Sequence, residues 1–261
     1  MHNFNFVKPS TIADAVAAMG QEGAQALAGG QTLIPTMKQR LAAPSSLVSL
    51  TGIAEMQGVC LGDGGLHVGA ATPHAVVARE AAALYPALAA LAGGIGDPAV
   101  RARGTIGGSI ANNDPAACYP AAVLGSGAVV VTNRRRITAD DYFQGLFTTA
   151  LEEGEIVTSV IFPIPERASY VKFNQPASRF ALTGVFVAKY ADGVRVAVTG
   201  ASQNGVFRWR EAEAALSANF APGAVAGLSV AADEMISDLH GTQAYRANLV
   251  KVLTARAVAA A

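Results

Sequence analysis

Gly104-Thr105-Ile106-Gly107-Gly108-Ser109-Ile110-Ala111-Asn112-Asn113-Asp114 stands between two hydrophobic segments, and its residues are too small and polar to build a core. The run reads as a surface against which a ligand lies. Gly104, Gly107 and Gly108 have no β-carbon, so the backbone can reach positive φ and let a ligand approach its amides. Thr105, Ser109, Asn112 and Asn113 add neutral donors and acceptors. Successive N–H groups of such a turn form a nest for anions, and a neutral lining suits a diphosphate or ribityl chain better than a metal ion. Taken alone, the run is equally well a glycine-rich connector between strands.

A second stretch changes the balance. Ala28-Gly29-Gly30-Gln31-Thr32-Leu33-Ile34-Pro35 follows a predicted strand, Gln25 to Ala28, and Thr32 is placed to cap a short helix bearing Met37, Lys38 and Arg40. Strand, glycine pair and helix start suit a phosphate, because amides and helix dipole point the same way. Two such loops imply one extended ligand lying between them. FAD is the commonest diphosphate ligand that also needs neutral surroundings for a ribityl chain. Asp114 is positioned to accept from ribityl or ribose hydroxyls, or to cap the turn before Pro115. Gly93-Gly94-Ile95-Gly96 comes nearest to a dinucleotide fingerprint but follows a helical stretch, Ala81 to Leu91, instead of a strand. It reads as a helix C-cap that brings Ile95 against a ligand ring.

The remaining composition narrows the function classes. The chain has 261 residues, 51% of them hydrophobic and 15% charged, enough for a large core and more than one module. Nineteen acids balance nineteen bases, so no net field attracts nucleic acid or an anionic membrane. No apolar run is long enough to span a bilayer and no leader pattern opens the chain, so a cytoplasmic location is the default expectation. Cys60 and Cys118 are isolated, without a Cys-x-x-Cys, so no iron–sulfur or zinc site is expected on this chain. His2, His67, His74 and His240 are too scattered for a ligand set and read as surface or satisfied histidines. No nucleophile elbow or Walker sequence appears, and no residue is nominated for catalysis or metal binding.

The element pattern predicts an α+β chain. Phe4 to Val7 and Leu47 to Leu50 read as strands, with a helix from Ile12 through Met19 after the Ser10-Thr11 cap. Val59 to Leu61 and Leu66 to Val68 form a hairpin over Gly62-Asp63-Gly64-Gly65. A helical region runs from Pro73 through Tyr85 to Leu91, and another from Ala116 to Leu124. Ala128 to Thr132 pairs with Arg136 to Thr138 across Asn133-Arg134-Arg135, whose arginines read as a solvated hairpin tip or a rim contact to a partner. Ile156 to Phe162 is the last strand before Pro163-Ile164-Pro165, which marks a boundary. Beyond it, Tyr170 to Phe173, Gly184 to Tyr190 and Arg195 to Thr199 form an antiparallel meander, with Val206 to Trp209 as a possible short fourth strand. Helices are expected at Glu211 to Leu216, near Val225 to Ile236, and at Ala244 to Val258, the last with Tyr245, Leu249, Val252 and Leu253 as its apolar stripe.

The two loops, in this order, resemble those of the FAD-binding medium subunits of molybdenum hydroxylases, the xanthine dehydrogenase family, and most of all the aerobic carbon monoxide dehydrogenase medium subunits. The resemblance also covers Phe4 to Ala15, Glu155 to Pro163, Tyr170 to Phe173 and the helix from Tyr245 to Arg256. It implies a FAD-binding fold of the vanillyl-alcohol oxidase/p-cresol methylhydroxylase type over residues 1–165, with subdomains of about 1–57 and 58–165. A C-terminal three-stranded antiparallel sheet with helices would follow over 166–261. By matching position, Ala28, Gly29, Gly30, Gln31, Thr32 and Leu33, with Thr105, Gly107, Gly108, Ser109 and Asn112, are implied to hold the diphosphate side, and Asp114 the ribityl region. Lys172 and Phe180 match a lysine and an aromatic near the flavin ring, and Ile95 and Val157 match apolar positions beside it. Two positions depart from the pattern: Cys118 replaces an acid, and Phe180 replaces a tyrosine.

The resemblance also implies partners. A large molybdenum–pterin subunit would oxidise the substrate, a small subunit with [2Fe–2S] centres would relay electrons, and this FAD would pass them to an external acceptor, in a dimer of heterotrimers. Two other readings stand beside this one. A self-contained FAD-dependent oxidase or reductase on the same scaffold would need its own acid or base over the ring. A non-redox binder of a nucleotide diphosphate would purify colourless.

Overall fold

The computed structural model describes residues 1–261. Strand β1 (Asn5–Val7), helix α1 (Ile12–Met19), β2 (Ala24–Leu27), α2 (Leu33–Lys38) and β3 (Ser46–Ser49) make a small parallel sheet in the order β1-β3-β2. β3 is central and wholly buried, as a parallel strand covered on both faces must be. Thr11 caps α1 by accepting the Asp14 amide at 3.1 Å, and Gly20 ends it. Thr32 occupies the cap position of α2, but its hydroxyl makes no capping bond, contrary to expectation.

The second sheet is antiparallel throughout. β4 (Val59–Gly62) and β5 (Gly65–Gly69) form the expected hairpin. Helices α3 (His74–Glu80), α4 (Pro86–Gly93), α5 (Pro98–Arg103), α6 (Ile106–Asn112) and α7 (Tyr119–Gly125) then lead to β6 (Val129–Thr132) and β7 (Arg136–Thr138). After a short helix α8 (Ala139–Tyr142) and a small hairpin of β8 (Phe143–Gly145) and β9 (Thr148–Thr149), β10 (Val157–Phe162) returns to the centre, giving the order β4-β5-β10-β6-β7.

Several local expectations are corrected. The long helical region breaks at Ala81 to Tyr85, because a residue before proline is pushed out of helical geometry; Tyr85 has φ −148° and ψ 78° ahead of Pro86. The helix after the main run starts only at Tyr119, and α5, α8 and the β8–β9 hairpin were not anticipated. The largest change concerns the main run itself. Ile106 to Asn112 is helical, Thr105 is its N-cap, and none of its glycines takes positive φ. Gly107 serves packing instead: a β-carbon there would stand 2.6 Å from the Ala70 β-carbon.

In the C-terminal part, β11 (Arg167–Asn174), β12 (Ala181–Tyr190) and β13 (Gly193–Thr199) form the three-stranded meander, and a two-residue β14 (Phe207–Arg208) extends its edge. Helices α9 (Arg210–Ala218) and α10 (Gln243–Ala260) cover it. Between them, the expected helix near Val225 to Ile236 is absent. The chain there forms only short turns at Pro222–Val225 and Ala232–Glu234, and the Ile236 amide donates to Ala201 O at 2.8 Å, as a bridge would. On α10 the buried stripe is Leu249, Val250, Leu253, Ala257 and Val258, while Tyr245 is exposed. None of the helices is long and apolar enough to cross a membrane.

β12 is buried on both faces. Phe186 and Ala188 pack into the core beneath α4 and α7, with Tyr85, Leu88, Tyr119 and Phe162. Val185 and Val187 point the other way, toward Trp209, Leu249 and Leu253 under α9 and α10. Polar bonds reinforce the junction. Thr199 Oγ1 donates to the carbonyls of Pro115 and Ala117, each at 2.8 Å, and the Gly200 amide donates to Pro115 O at 2.7 Å. Arg246, buried on α10, steadies that corner by donating to Leu182 O at 2.6 Å, Gly200 O at 2.8 Å and Asp238 at 2.7 Å. Asp140 accepts from Arg195 and Arg208 across the same junction.

Replacing Arg246 with Met leaves the buried Gly200 carbonyl without a donor, removes the charged donor of Leu182 O and breaks the ion pair with Asp238, and is expected to cost about 3 kcal/mol. Arg246→Lys recovers little, because an ammonium cannot reproduce the planar fork. Melting temperatures of the two variants against the parent check both statements.

Candidate functional site

The two glycine loops meet backbone to backbone. A β-carbon on Gly29 would stand 2.6 Å from the Gly104 α-carbon and closer still to the Arg103 carbonyl, so only glycine permits the contact. Gly30 follows with φ +70°, where its missing β-carbon also clears Ile34. Together they form the floor of a cavity of about 660 Å³ bounded by both sheets and by the turn from Gln175 to Phe180. That volume is within the range of small-molecule and cofactor sites.

Every residue nominated from the sequence lines this one cavity: Ala28 to Leu33, Ile95, Thr105, Gly107, Gly108, Ser109, Asn112, Asp114, Val157, Lys172 and Phe180. Their individual capacities differ from expectation. The nest anticipated at Thr105 to Ser109 is already satisfied internally. The amides of Gly107, Gly108 and Ser109 donate to Ala70 O, Thr105 Oγ1 and Thr105 O. The free donors are in the other loop, where the amides of Gly30, Gln31, Thr32 and Leu33 find no acceptor in the chain. Thr32, Ser109 and Asn112 keep their side-chain polar groups unbonded beside them, whereas Asn113 turns away and donates to Gly145 O and Thr148 O.

Asp114 caps its turn and also lines the cavity. One carboxylate oxygen accepts the Ala116 amide at 2.8 Å as a turn cap, and the residue still faces the cavity. Ile95, Val157 and the exposed ring of Phe180 add apolar surface to the lining. Lys172 stands beside Ile95 and Phe180, its ammonium bonded to Gly94 O at 2.9 Å, Arg179 O at 2.7 Å and Cys118 Sγ at 3.5 Å.

Two lining residues had no readable signal. His74 is neither a surface nor a satisfied histidine: it is buried against Tyr119, with ring centroids 5.2 Å apart, and its Nδ1 has no partner. Burial, helped by the charge of Arg101, pushes its pKa down to about 4, so it is neutral at the cavity wall. Its place depends on the Gly104 carbonyl, which accepts the His74 amide, and that pairing joins segments distant in sequence. Glu155 is the other. Its carboxylate accepts from Arg135 Nε at 3.1 Å and Nη2 at 3.0 Å, from Thr132 Oγ1 at 2.7 Å and from the Glu152 amide at 2.9 Å. Arg134 and Arg135 are exposed at the hairpin tip, as expected, and form ion pairs there with Glu152 and Glu155.

The Arg135 bonds, outweighing burial, hold the Glu155 carboxyl at about 2 against its ordinary 4.5. A depressed acid stabilises the fold above its unfolded pKa, and that contribution fades as pH falls through the folded one. Glu155→Gln is therefore expected to be less stable than the parent at neutral pH, with the gap closing between about pH 4.5 and about pH 2. Denaturant unfolding of both proteins across that range measures the gap.

Comparison with known proteins agrees with this geometry. Residues 2–165 match the family described as the FAD binding domain in molybdopterin dehydrogenase. The chain is 36% identical to the carbon monoxide dehydrogenase medium chain of Afipia carboxidovorans, over 71% of this chain and 68% of that one. It is 34% identical to the nicotine 6-hydroxylase medium subunit of Paenarthrobacter nicotinovorans, over 97% and 95%. Among solved structures, a chain of quinoline 2-oxidoreductase from Pseudomonas putida 86 superposes with a TM-score of 0.89 at 26% identity, covering 100% of this chain and 97% of that one. The chain belongs to the FAD-binding medium subunits of molybdenum hydroxylases, flavoprotein components of oxidoreductase complexes whose cofactor is FAD.

Proposed function

We propose that this chain is the electron-transfer subunit of a molybdenum hydroxylase. It would take electrons from [2Fe–2S] centres on a small partner subunit and deliver them to an external acceptor, while a large molybdenum–pterin subunit oxidises the substrate. A dimer of such heterotrimers is the assembly this reading expects. The observation that carries it is the mixed lining of one cavity: free amides and unbonded hydroxyls, apolar side chains, and the ammonium of Lys172. Such a lining suits a long cofactor with a diphosphate and a flat ring.

Bound FAD supplies two-electron and one-electron redox chemistry to the complex. The chain's own residues supply binding and orientation. The amides of Gly30 to Leu33, with Thr32 and Ser109, would hold the diphosphate, and Asp114 would accept from the ribityl hydroxyls. Ile95, Val157 and Phe180 would border the ring and exclude water from its edges, and Lys172 would hold a positive charge beside it. Residues 166–261 would act as a covering module for the domain spanning 1–165.

Isolation from the native host without separating partners tests this reading. Flavin and iron–sulfur absorbance together with one larger and one smaller chain supports it. A single yellow chain that turns over a substrate alone refutes it in favour of an autonomous flavoenzyme. The loop contact offers a second check. Gly29→Ala drives the two loops apart and is expected to weaken FAD retention at least tenfold, roughly 1.4 kcal/mol, measured by equilibrium dialysis. Circular dichroism of the variant separates that loss from unfolding.

A further inference from the structure

Lys172 presents an arrangement that its role as a cavity cation does not by itself require. Its three N–H groups are all committed, two to the carbonyls of Gly94 and Arg179 and the third to the Cys118 thiol. The ammonium has no free donor to offer a ligand, so it acts on whatever lies beside it in the cavity through its field alone. Two of the three acceptors are neutral carbonyls, and no carboxylate stands within salt-bridge reach of the nitrogen. Of the cavity's acids, Glu155 is occupied by Arg135, and Asp114 is engaged at the Ala116 amide.

Cys118 decides whether that field survives. It is buried in the cavity wall at the one position where a side chain meets the ammonium. Behind it is the Tyr170 hydroxyl, buried and without a partner of its own. Burial, and then the neighbouring Cys118, hold that phenol far above its ordinary range, so it contributes no charge. The backbone leading to Cys118 is tied down by Thr199 and Gly200, which bind Pro115 and Ala117. The positive charge therefore faces the cavity without a carboxylate in salt-bridge reach, and its field strengthens where a bound ring displaces water.

We propose that Cys118 sets the redox poise of the bound FAD by leaving the charge of Lys172 unneutralised. The inference rests on the reading that FAD occupies the cavity with its ring at the Lys172 end. Two electrons and one proton convert the oxidised ring to a singly negative reduced one. The electrons come from an iron–sulfur donor in the proposed complex, or from dithionite in the test, and the proton comes from solvent. A fixed cation favours the negative product, so the unneutralised charge raises the midpoint potential. Cys118 acts on the ring through the ammonium that it meets, and is a positioning residue.

The test is reductive titration, against reference dyes, of the native assembly and of Cys118→Asp, Cys118→Ala, Lys172→Gln and the Cys118→Asp/Lys172→Gln pair. Visible flavin bands are recorded first. Cys118→Asp is expected to lower the preference for reduced over oxidised flavin at least tenfold, about 30 mV for a two-electron couple. Lys172→Gln should shift the potential in the same direction, Cys118→Ala should leave it near the parent value, and the double variant should shift less than the sum of the two singles. A loss of packing alone would not produce that pattern. If Cys118→Asp holds FAD at the parent potential, or shifts it equally when Lys172 is absent, the inference is overturned. Should Cys118→Asp fail to fold, Lys172→Gln decides, and an unchanged potential overturns the inference. A parent assembly without flavin bands overturns both the inference and the reading beneath it, whereas a flavin-loaded parent with insensitive variants overturns the inference alone.

Discussion

The approach of Gly29 to Gly104 is the constraint on which the rest of the site depends. Two polypeptide segments touch there without an intervening side chain, and a single β-carbon on Gly29 would hold them apart. The contact joins the small parallel sheet to the antiparallel one. Because the loops share one floor, the free amides of Gly30 to Leu33 face the same space as Ser109 and Asn112. Neither sheet could assemble that lining alone.

The C-terminal sheet completes the enclosure by reaching across with backbone bonds. Thr199 and Gly200 take up the carbonyls of Pro115 and Ala117, which would otherwise be unsatisfied beside the cavity. Lys172 works in the same manner from β11, linking the end of α4 at Gly94 to the turn at Arg179. Behind these contacts, Arg246 anchors Gly200 from the opposite face of the sheet. The cavity wall is thus braced by a helix that contributes no residue to its lining.

How much of this could be read in advance depends on how local the cause is. Glycine pairs beside hydroxyls announce close approach in any context, so both loops were legible, as was the hairpin over Asp63-Gly64. The helix at Ile106 to Asn112 was not, because two glycines in its first turn argue against helix by about 1 kcal/mol each. Packing of Gly107 on Ala70 overrides that preference and depends on a strand far away in sequence. His74 and Glu155 stayed unread for the same reason: their partners, Gly104 and Arg135, come from other segments. The stretch from Val225 to Ile236 failed in the opposite direction. Its apolar residues suggested a helix, but Ile236 pairs with Ala201 and Gln203 ties down Asp233 and Met235.

The bonds from Thr199 and Gly200 to Pro115 and Ala117 bear on how such subunits can be recombined. A chimera that joined residues 1–165 of this chain to the covering half of a relative would inherit the cavity floor but not its brace. Gly200, with φ +81° and no room for a β-carbon beside Ala181, would have to be supplied by the incoming half in register. Grafts that keep this corner together with Arg246 would assemble a closed pocket, while grafts chosen by overall similarity alone would leave the Asp114 to Cys118 wall without support.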